Sequence, residues 1–129
     1  MTIARFGAIS LDSDDPVTLG RFYRDLLGGR ITRESADLVA LQASEIVITG
    51  ERSENHQPPD WPDDTVPKQL HFEFLVDDLD SAEQAALAIG ARKASAQPSP
   101  DKWRVLLDPS GHPFCLIVAT MTTCTRSSR

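Results

Sequence analysis

The sequence predicts an α+β fold in which one strand–helix–three-strand unit, βαβββ, is written twice. Three observations carry that expectation. A strand-like segment is followed by an apolar stripe of helical period in each half of the chain. An acidic residue stands at the start of each helix and glycine at its end. Three short strand-like runs then follow each helix, and self-similarity on this scale is more specific than any single motif.

In the first unit, FGAISLDSDD alternates Phe6, Ala8 and Ser10 with Gly7, Ile9 and Leu11, the period of a strand with two different faces. Asp15 is placed to cap a helix whose first turn holds Pro16, where a missing N–H does no harm. Leu19, Phe22, Tyr23, Leu26 and Leu27 form the apolar stripe, and Gly28 and Gly29 end it. RITRES, DLVALQA and EIVITG are the three strands. In the second unit, LHFEFLVDD places Phe72, Phe74 and Val76 on one face and His71, Glu73 and Leu75 on the other. Asp80-Ser-Ala-Glu83 reads as a capping box, with Ala82, Ala85, Ala86 and Ile89 as the stripe and Gly90 as the stop. ARKASA, KWRVLLD and HPFCLIV complete the unit. The expected boundaries are 1–50 for the first module, 51–68 for a proline-rich connection, 69–120 for the second module and 121–129 for a polar, frayed tail. Trp61, in the middle of the connection, favours a loop that packs rather than one that waves in solvent.

The net charge of −6 argues against a nucleic-acid partner, which needs a basic face. No apolar run approaches the ~18 residues of a membrane span, and MTIARFG lacks the apolar core of a signal peptide, so cytoplasmic residence is expected. Cys115 and Cys124 do not form a CxxC pair, and a disulfide framework is not expected.

SDDPVTLGRFYRDLLGG, HFEFLVDDLDSAEQAALAIGA and LLDPSGHPFCLIV, within residues 3–119, together resemble the vicinal oxygen chelate superfamily, and the last two resemble its glyoxalase-like branch. That group includes glyoxalase I, bleomycin-resistance proteins and extradiol dioxygenases. The resemblance implies mixed sheets curled into one cup-shaped cavity, helices outside, and in many members four residues that hold a divalent metal. Those positions fall here on Ala8, Thr49, His71 and Cys115, the last where metal-binding members carry glutamate. Alanine has no donor atom and threonine is a poor ligand for a borderline metal, so the site reads as dismantled, with no metal and no cofactor expected.

His112 follows the turn glycine and is read as facing solvent or capping the hairpin, and Cys115 as a small apolar element of the cavity wall. His71 and Glu73 share a strand face and would give the cavity an imidazole and a carboxylate, with Arg5, Arg33 and Arg104 as candidate partners. Trp61 and Trp103 would offer stacking area to a flat ligand. The ligand-binding set is therefore Phe6, Ala8, Thr49, Trp61, His71, Glu73, Trp103 and Cys115. The expected function is metal-free binding of a planar aromatic small molecule, resembling drug-sequestering bleomycin-resistance proteins, by a homodimer. The alternative is a glyoxalase-like lyase or dioxygenase-type enzyme, using His71 at an altered metal site or metal-free acid–base catalysis by His71 and Glu73.

Overall fold

A computed structural model describes residues 2–119, so Cys124 and the tail expected at 121–129 lie outside the described residues. The chain separates between His56 and Gln57 into two compact units. Among the described residues no helix is long and apolar enough to cross a membrane.

The first unit contains β1 (Ile9–Ser13), α1 (Pro16–Leu27), β2 (Arg30–Glu34), β3 (Leu38–Ala43) and β4 (Ile46–Arg52). Its sheet order is β1-β4-β3-β2, with β1 parallel to β4 and the other pairs antiparallel. Asp15 caps α1 as expected, accepting the Thr18 amide at 3.2 Å and the Thr18 hydroxyl at 2.7 Å. Gly28, at φ 74°, ends the helix and returns its N–H to the Arg24 carbonyl at 2.8 Å. Leu19, Phe22 and Tyr23 are buried against the sheet, whose helix-facing positions Val39, Leu41 and Ala43 are buried as well. A Cβ on Gly20 would lie 2.4 Å from Val39 Cγ2, so only glycine lets the helix sit this close to β3.

β1 begins three residues later than the alternation of Phe6 and Ala8 suggests. Ile9 is paired with Ile48, and the same register would put Phe6 opposite Glu45, in the turn beside Ser44 at φ 58°. Phe6 therefore precedes the strand and is 81% exposed. At the other end β4 continues to Arg52, two residues into the stretch expected to be loop.

The second unit repeats the topology. It contains β5 (Phe72–Val76), α2 (Leu79–Ala88), β6 (Arg92–Lys93), β7 (Trp103–Leu107) and β8 (Pro113–Val118), with sheet order β5-β8-β7-β6. β5 is parallel to β8, and β8–β7 and β7–β6 are antiparallel. Phe72, Phe74, Phe114, Leu106 and Leu116 alternate onto one face, with the Phe74 and Phe114 rings 5.7 Å apart. α2 packs on β8 and β7 through Leu79 and Ala86.

The cap of α2 is Asp78 rather than Asp80. Asp78 has extended backbone, φ −140° and ψ 123°, and accepts the Ser81 amide at 2.8 Å, while Asp80 is already helical. Hydrogen bonds from Ser81 hold the Asp78 carboxyl below its usual range. Glu83 does not reach back to close a capping box. It is buried on the helix face, where Arg104 Nη1 donates to it at 2.8 Å and Lys93 Nζ lies at 3.2 Å. The buried stripe of α2 is accordingly Leu79, Glu83 and Ala86, and Ala85 is exposed. Arg104 also donates to Asp80 at 2.9 Å and to the Pro100 carbonyl at 2.6 Å, joining β7, α2 and the loop before β7.

The expected strand ARKASA shortens to Arg92–Lys93 because a side chain replaces main chain beyond it. The Ala94 amide still donates to the Val105 carbonyl at 3.1 Å, but Gln97 accepts the Val105 amide at 2.9 Å, the bond a neighbouring strand would make, and donates to the same carbonyl at 2.7 Å. Its Nε2 also donates to the Ala94 carbonyl at 3.0 Å.

Two expected outcomes follow from these contacts. Arg104→Ala strips a partner from buried Glu83 and should cost about 3 kcal/mol, seen as a lower urea midpoint with unchanged slope. Burial pushes the Glu83 carboxyl up, but hydrogen bonds from Arg104 and Lys93 outweigh it and hold the group below its usual range. Its stabilising contribution is therefore complete above the unfolded-chain value, about pH 4.3, and is lost as the pH falls through the lower folded value. The acid limb of the stability curve should be shallower in Arg104→Ala, and an unchanged midpoint and limb would refute the assignment. Gln97→Ala should cost about 1–3 kcal/mol and speed exchange of the Val105 amide. Gln97→Glu should be worse, because a carboxylate would face two carbonyls.

Candidate functional site

The face of the second sheet opposite α2 carries a second apolar group. Trp103, Val105, Cys115 and Ile117 project there by alternation, and with Ala94 they form a buried cluster against which Trp61 packs. β8 is thus buried on both faces, from Pro113 to Ile117. The loop that brings Trp61 to this face is ordered by its own main chain. The Asp60 amide donates to the Val66 carbonyl at 3.0 Å, and the Asp60 carboxylate accepts the Val66 amide at 3.0 Å. Further up the loop, Pro58 lies over the β7–β8 turn, where a Cβ on Gly111 would come within 2.5 Å of Pro58 Cβ. Gly111 also has φ 87°, a conformation that glycine adopts without strain.

That turn is built by Asp108, which is fully buried. Its carboxylate accepts the Ser110 amide at 2.9 Å and the His112 amide at 3.0 Å. His112 in turn accepts the Asp108 amide through its carbonyl at 3.0 Å. His112 therefore closes the hairpin through its main chain.

Between Trp61 and the cluster lies a pocket of about 270 Å³, lined by Trp61, Lys68, Pro98, Ser99, Lys102, Trp103, Val105 and Cys115. Trp103 and Cys115 are buried and Trp61 is half-buried, so the indoles and the thiol form the wall and floor. The Lys68 ammonium stands 5.0 Å from the centre of the Trp61 ring, a cation–π contact. The wall on the β7 side is the Pro98–Lys102 segment, closed by the Lys102 and Trp103 amides donating to the Ser99 carbonyl at 2.9 and 3.0 Å. Arg104 holds that segment through Pro100, and Gln97 anchors its start to Val105.

Three of the residues singled out from the sequence, Trp61, Trp103 and Cys115, meet at this pocket. His71 and Glu73 do not line it. Glu73 is directly opposite Cys115 in the β5–β8 ladder and so shares its face, one strand away. His71 Nε2 lies 3.2 Å from Glu73 Oε2, with the two side chains 19% and 28% exposed. Arg104, a candidate partner for this pair, points to the other face of the sheet and pairs with Glu83 and Asp80 instead. Alternation with Trp103 dictates that outcome. Arg5 and Arg33 are exposed residues of the first unit. Phe6, Ala8 and Thr49 also lie in the first unit, Ala8 just before β1 and Thr49 on β4 opposite Ser10 and Ala40.

Ala8, Thr49, His71 and Cys115, the positions where the family resemblance implies metal ligands, offer a methyl, a hydroxyl, an imidazole and a thiol. They do not fit a catalytic zinc, which takes three protein ligands. Among the described residues no group of three or more His, Cys, Asp or Glu side chains is gathered to hold a metal ion.

Sequence reading missed Lys68 and Lys102, although a signal was present. The chain has only three lysines, and these two stand shortly before Phe72 and immediately before Trp103, at the starts of two strands of one sheet.

Residues 8–117 match the family described as the glyoxalase-like domain. No curated protein matches the sequence. Among solved structures, the fosfomycin resistance protein FosX from Mesorhizobium loti is similar with TM-score 0.69 and 17% identity, covering 99% of this chain and 100% of that one. A hypothetical protein, SA1046, from S. aureus is similar with TM-score 0.66 and 15% identity, covering 91% and 95%. The bleomycin-binding protein of Streptomyces verticillus is similar with TM-score 0.57 and 16% identity, covering 92% and 98%. At these identities the structures speak for the fold. With the family match over residues 8–117, the chain belongs to the glyoxalase-like domain family of the vicinal oxygen chelate superfamily.

Proposed function

We propose that the protein binds a small planar aromatic molecule without a metal and sequesters it, in the manner of a resistance protein. The observation that carries the reading is the convergence of both tryptophans of the chain on one pocket with a thiol in its floor. Two indoles offer large rigid stacking area, each ring contact adding about 0.5–1.5 kcal/mol beyond burial. A volume of about 270 Å³ falls below the ~300–1,000 Å³ of drug-sized sites, which favours one or two rings. The bleomycin-binding protein among the similar structures lends the reading a precedent within the fold. His71, just before the neighbouring strand β5, and Glu73 on it are proposed as a secondary polar contact for a ligand that extends beyond the tryptophans.

The test is calorimetry of the purified protein against a panel of aromatic compounds, including flavins and quinones. Trp103→Ala and Trp61→Ala should each weaken binding at least tenfold with the fold intact by circular dichroism, and His71→Ala and Glu73→Ala should weaken it less. If no compound binds, or binding ignores both tryptophans, the reading fails. A second reading, catalysis, is favoured by one feature: His71 is hydrogen-bonded to a carboxylate, an arrangement that orients an imidazole as a general base. Turnover of a bound compound that stops in His71→Ala would replace sequestration with this reading.

We further propose a cytoplasmic homodimer. Ile3 and Phe6 in the first unit and Leu70 and Leu75 in the second are 101%, 81%, 87% and 59% exposed, large apolar side chains that a second copy would cover. Light scattering should give twice the chain mass of 14.2 kDa at micromolar concentration, and the monomer mass alone would overturn the dimer.

A further inference from the structure

The chain carries 19 acidic and 13 basic side chains, yet the pocket is lined by two lysines and no carboxylate. The third lysine of the chain, Lys93, is engaged by Glu83 on the opposite face of the sheet. Among the described residues neither Lys68 nor Lys102 has an ion-pair partner. The acidic groups nearest in sequence are accounted for or stand aside. Asp60 spends its carboxylate on the Val66 amide, and Asp63, Asp64 and Asp101 are exposed and do not line the pocket. Lys68 is half-buried, held over the Trp61 ring, so its charge is kept at the pocket rather than extended into solvent. A concavity walled by indole and edged by one sign of charge concentrates its field on whatever enters.

We propose that this pocket selects an anion: a one- or two-ring aromatic acid whose ring stacks on Trp61 and Trp103 and whose charged group meets Lys68 and Lys102. The proposal rests on the binding reading above and adds the charge of the ligand to it. Lysine suits this role as a mobile point charge with three donors, able to meet a carboxylate, phosphate or sulfonate without a fixed fork. Neutral ring compounds fill the same indole-lined space but leave both ammonium groups unanswered. Selection therefore comes from the charge and affinity for the ring from the tryptophans.

The experiment compares 2-naphthoate with 2-naphthamide, which share rings and shape and differ in charge, by calorimetry on the full chain. Inorganic phosphate alone is the third probe. The acid should bind at least tenfold tighter than the amide at low ionic strength. That preference should shrink as salt approaches 0.5 M, where screening is nearly complete. The double variant Lys68→Ala/Lys102→Ala should bind both compounds equally and weakly, and Lys68→Arg/Lys102→Arg should keep the preference. Trp103→Ala should lose both compounds. Phosphate should bind at least tenfold more weakly than naphthoate, since it lacks the rings. Equal binding of acid and amide by the native chain overturns the anion proposal and leaves the aromatic-binding reading standing. A preference for the acid that survives in the double alanine variant overturns the lysine assignment. If phosphate binds as tightly as naphthoate, the ring half of the proposal is wrong. Failure of both naphthalene compounds overturns the proposed ligand class, and the wider panel then decides the binding reading separately.

Discussion

The second unit is governed by the need to cover β8 on both sides. The strand lies inside its sheet, parallel to β5 and antiparallel to β7, and its side chains are buried from Pro113 to Ile117. An apolar strand of this kind satisfies its main chain through its neighbours but still has two faces to remove from water. α2 covers one, packing on β7 and β8, where Leu106, Phe114 and Leu116 are buried. On the other, the indole of a loop packs against the cluster. The pocket exists because a loop cannot tile a sheet as a helix does. Where Trp61 and the Pro98–Lys102 segment leave the surface uncovered, space remains above Val105 and Cys115.

Charge is divided between the two faces by the same alternation. Arg104, Glu83 and Lys93 meet on the helix side, where a buried carboxylate is tolerable because two cations answer it. Lys68 and Lys102 edge the opposite side with no acid in the lining. Arg104 links the two environments, since its Nε holds Pro100 while its Nη groups hold α2. An ion-pair cluster that looks purely structural thereby sets the position of one pocket wall.

Much of this was legible in the residues. The double βαβββ pattern, the cap at Asp15, the glycine stop at Gly28 and the faces of β5 followed from local rules, because each depends on neighbours a few positions away. Asp80 misled because aspartates stand at both 78 and 80, and only main-chain dihedrals decide which one caps and which lies in the first turn. Glu83 misled for a related reason: a glutamate three residues after an aspartate has the spacing of a capping box, whereas its actual partners are on β6 and β7. Of the site, the tryptophans and Cys115 were found from alternation and size. Lys68 and Lys102 were not, since a lysine in a loop ordinarily means a solvated surface. Gln97 was equally silent, because its substitution for a strand is a tertiary event.

The contact between Pro58 and Gly111 gives the pocket a particular place in the life of the unit. The least regular segment is seated on the hairpin turn that Asp108 builds, and that seat exists only once the hairpin is closed. The sheet needs nothing from the loop to make its ladders, whereas the loop needs the finished turn to find its position. The recess is therefore a local property, set by where the loop docks on the turn. Lifting the loop would erase it while leaving the ladder hydrogen bonds in place, at the cost of uncovering the cluster of Trp103, Val105, Cys115 and Ile117 against which Trp61 packs.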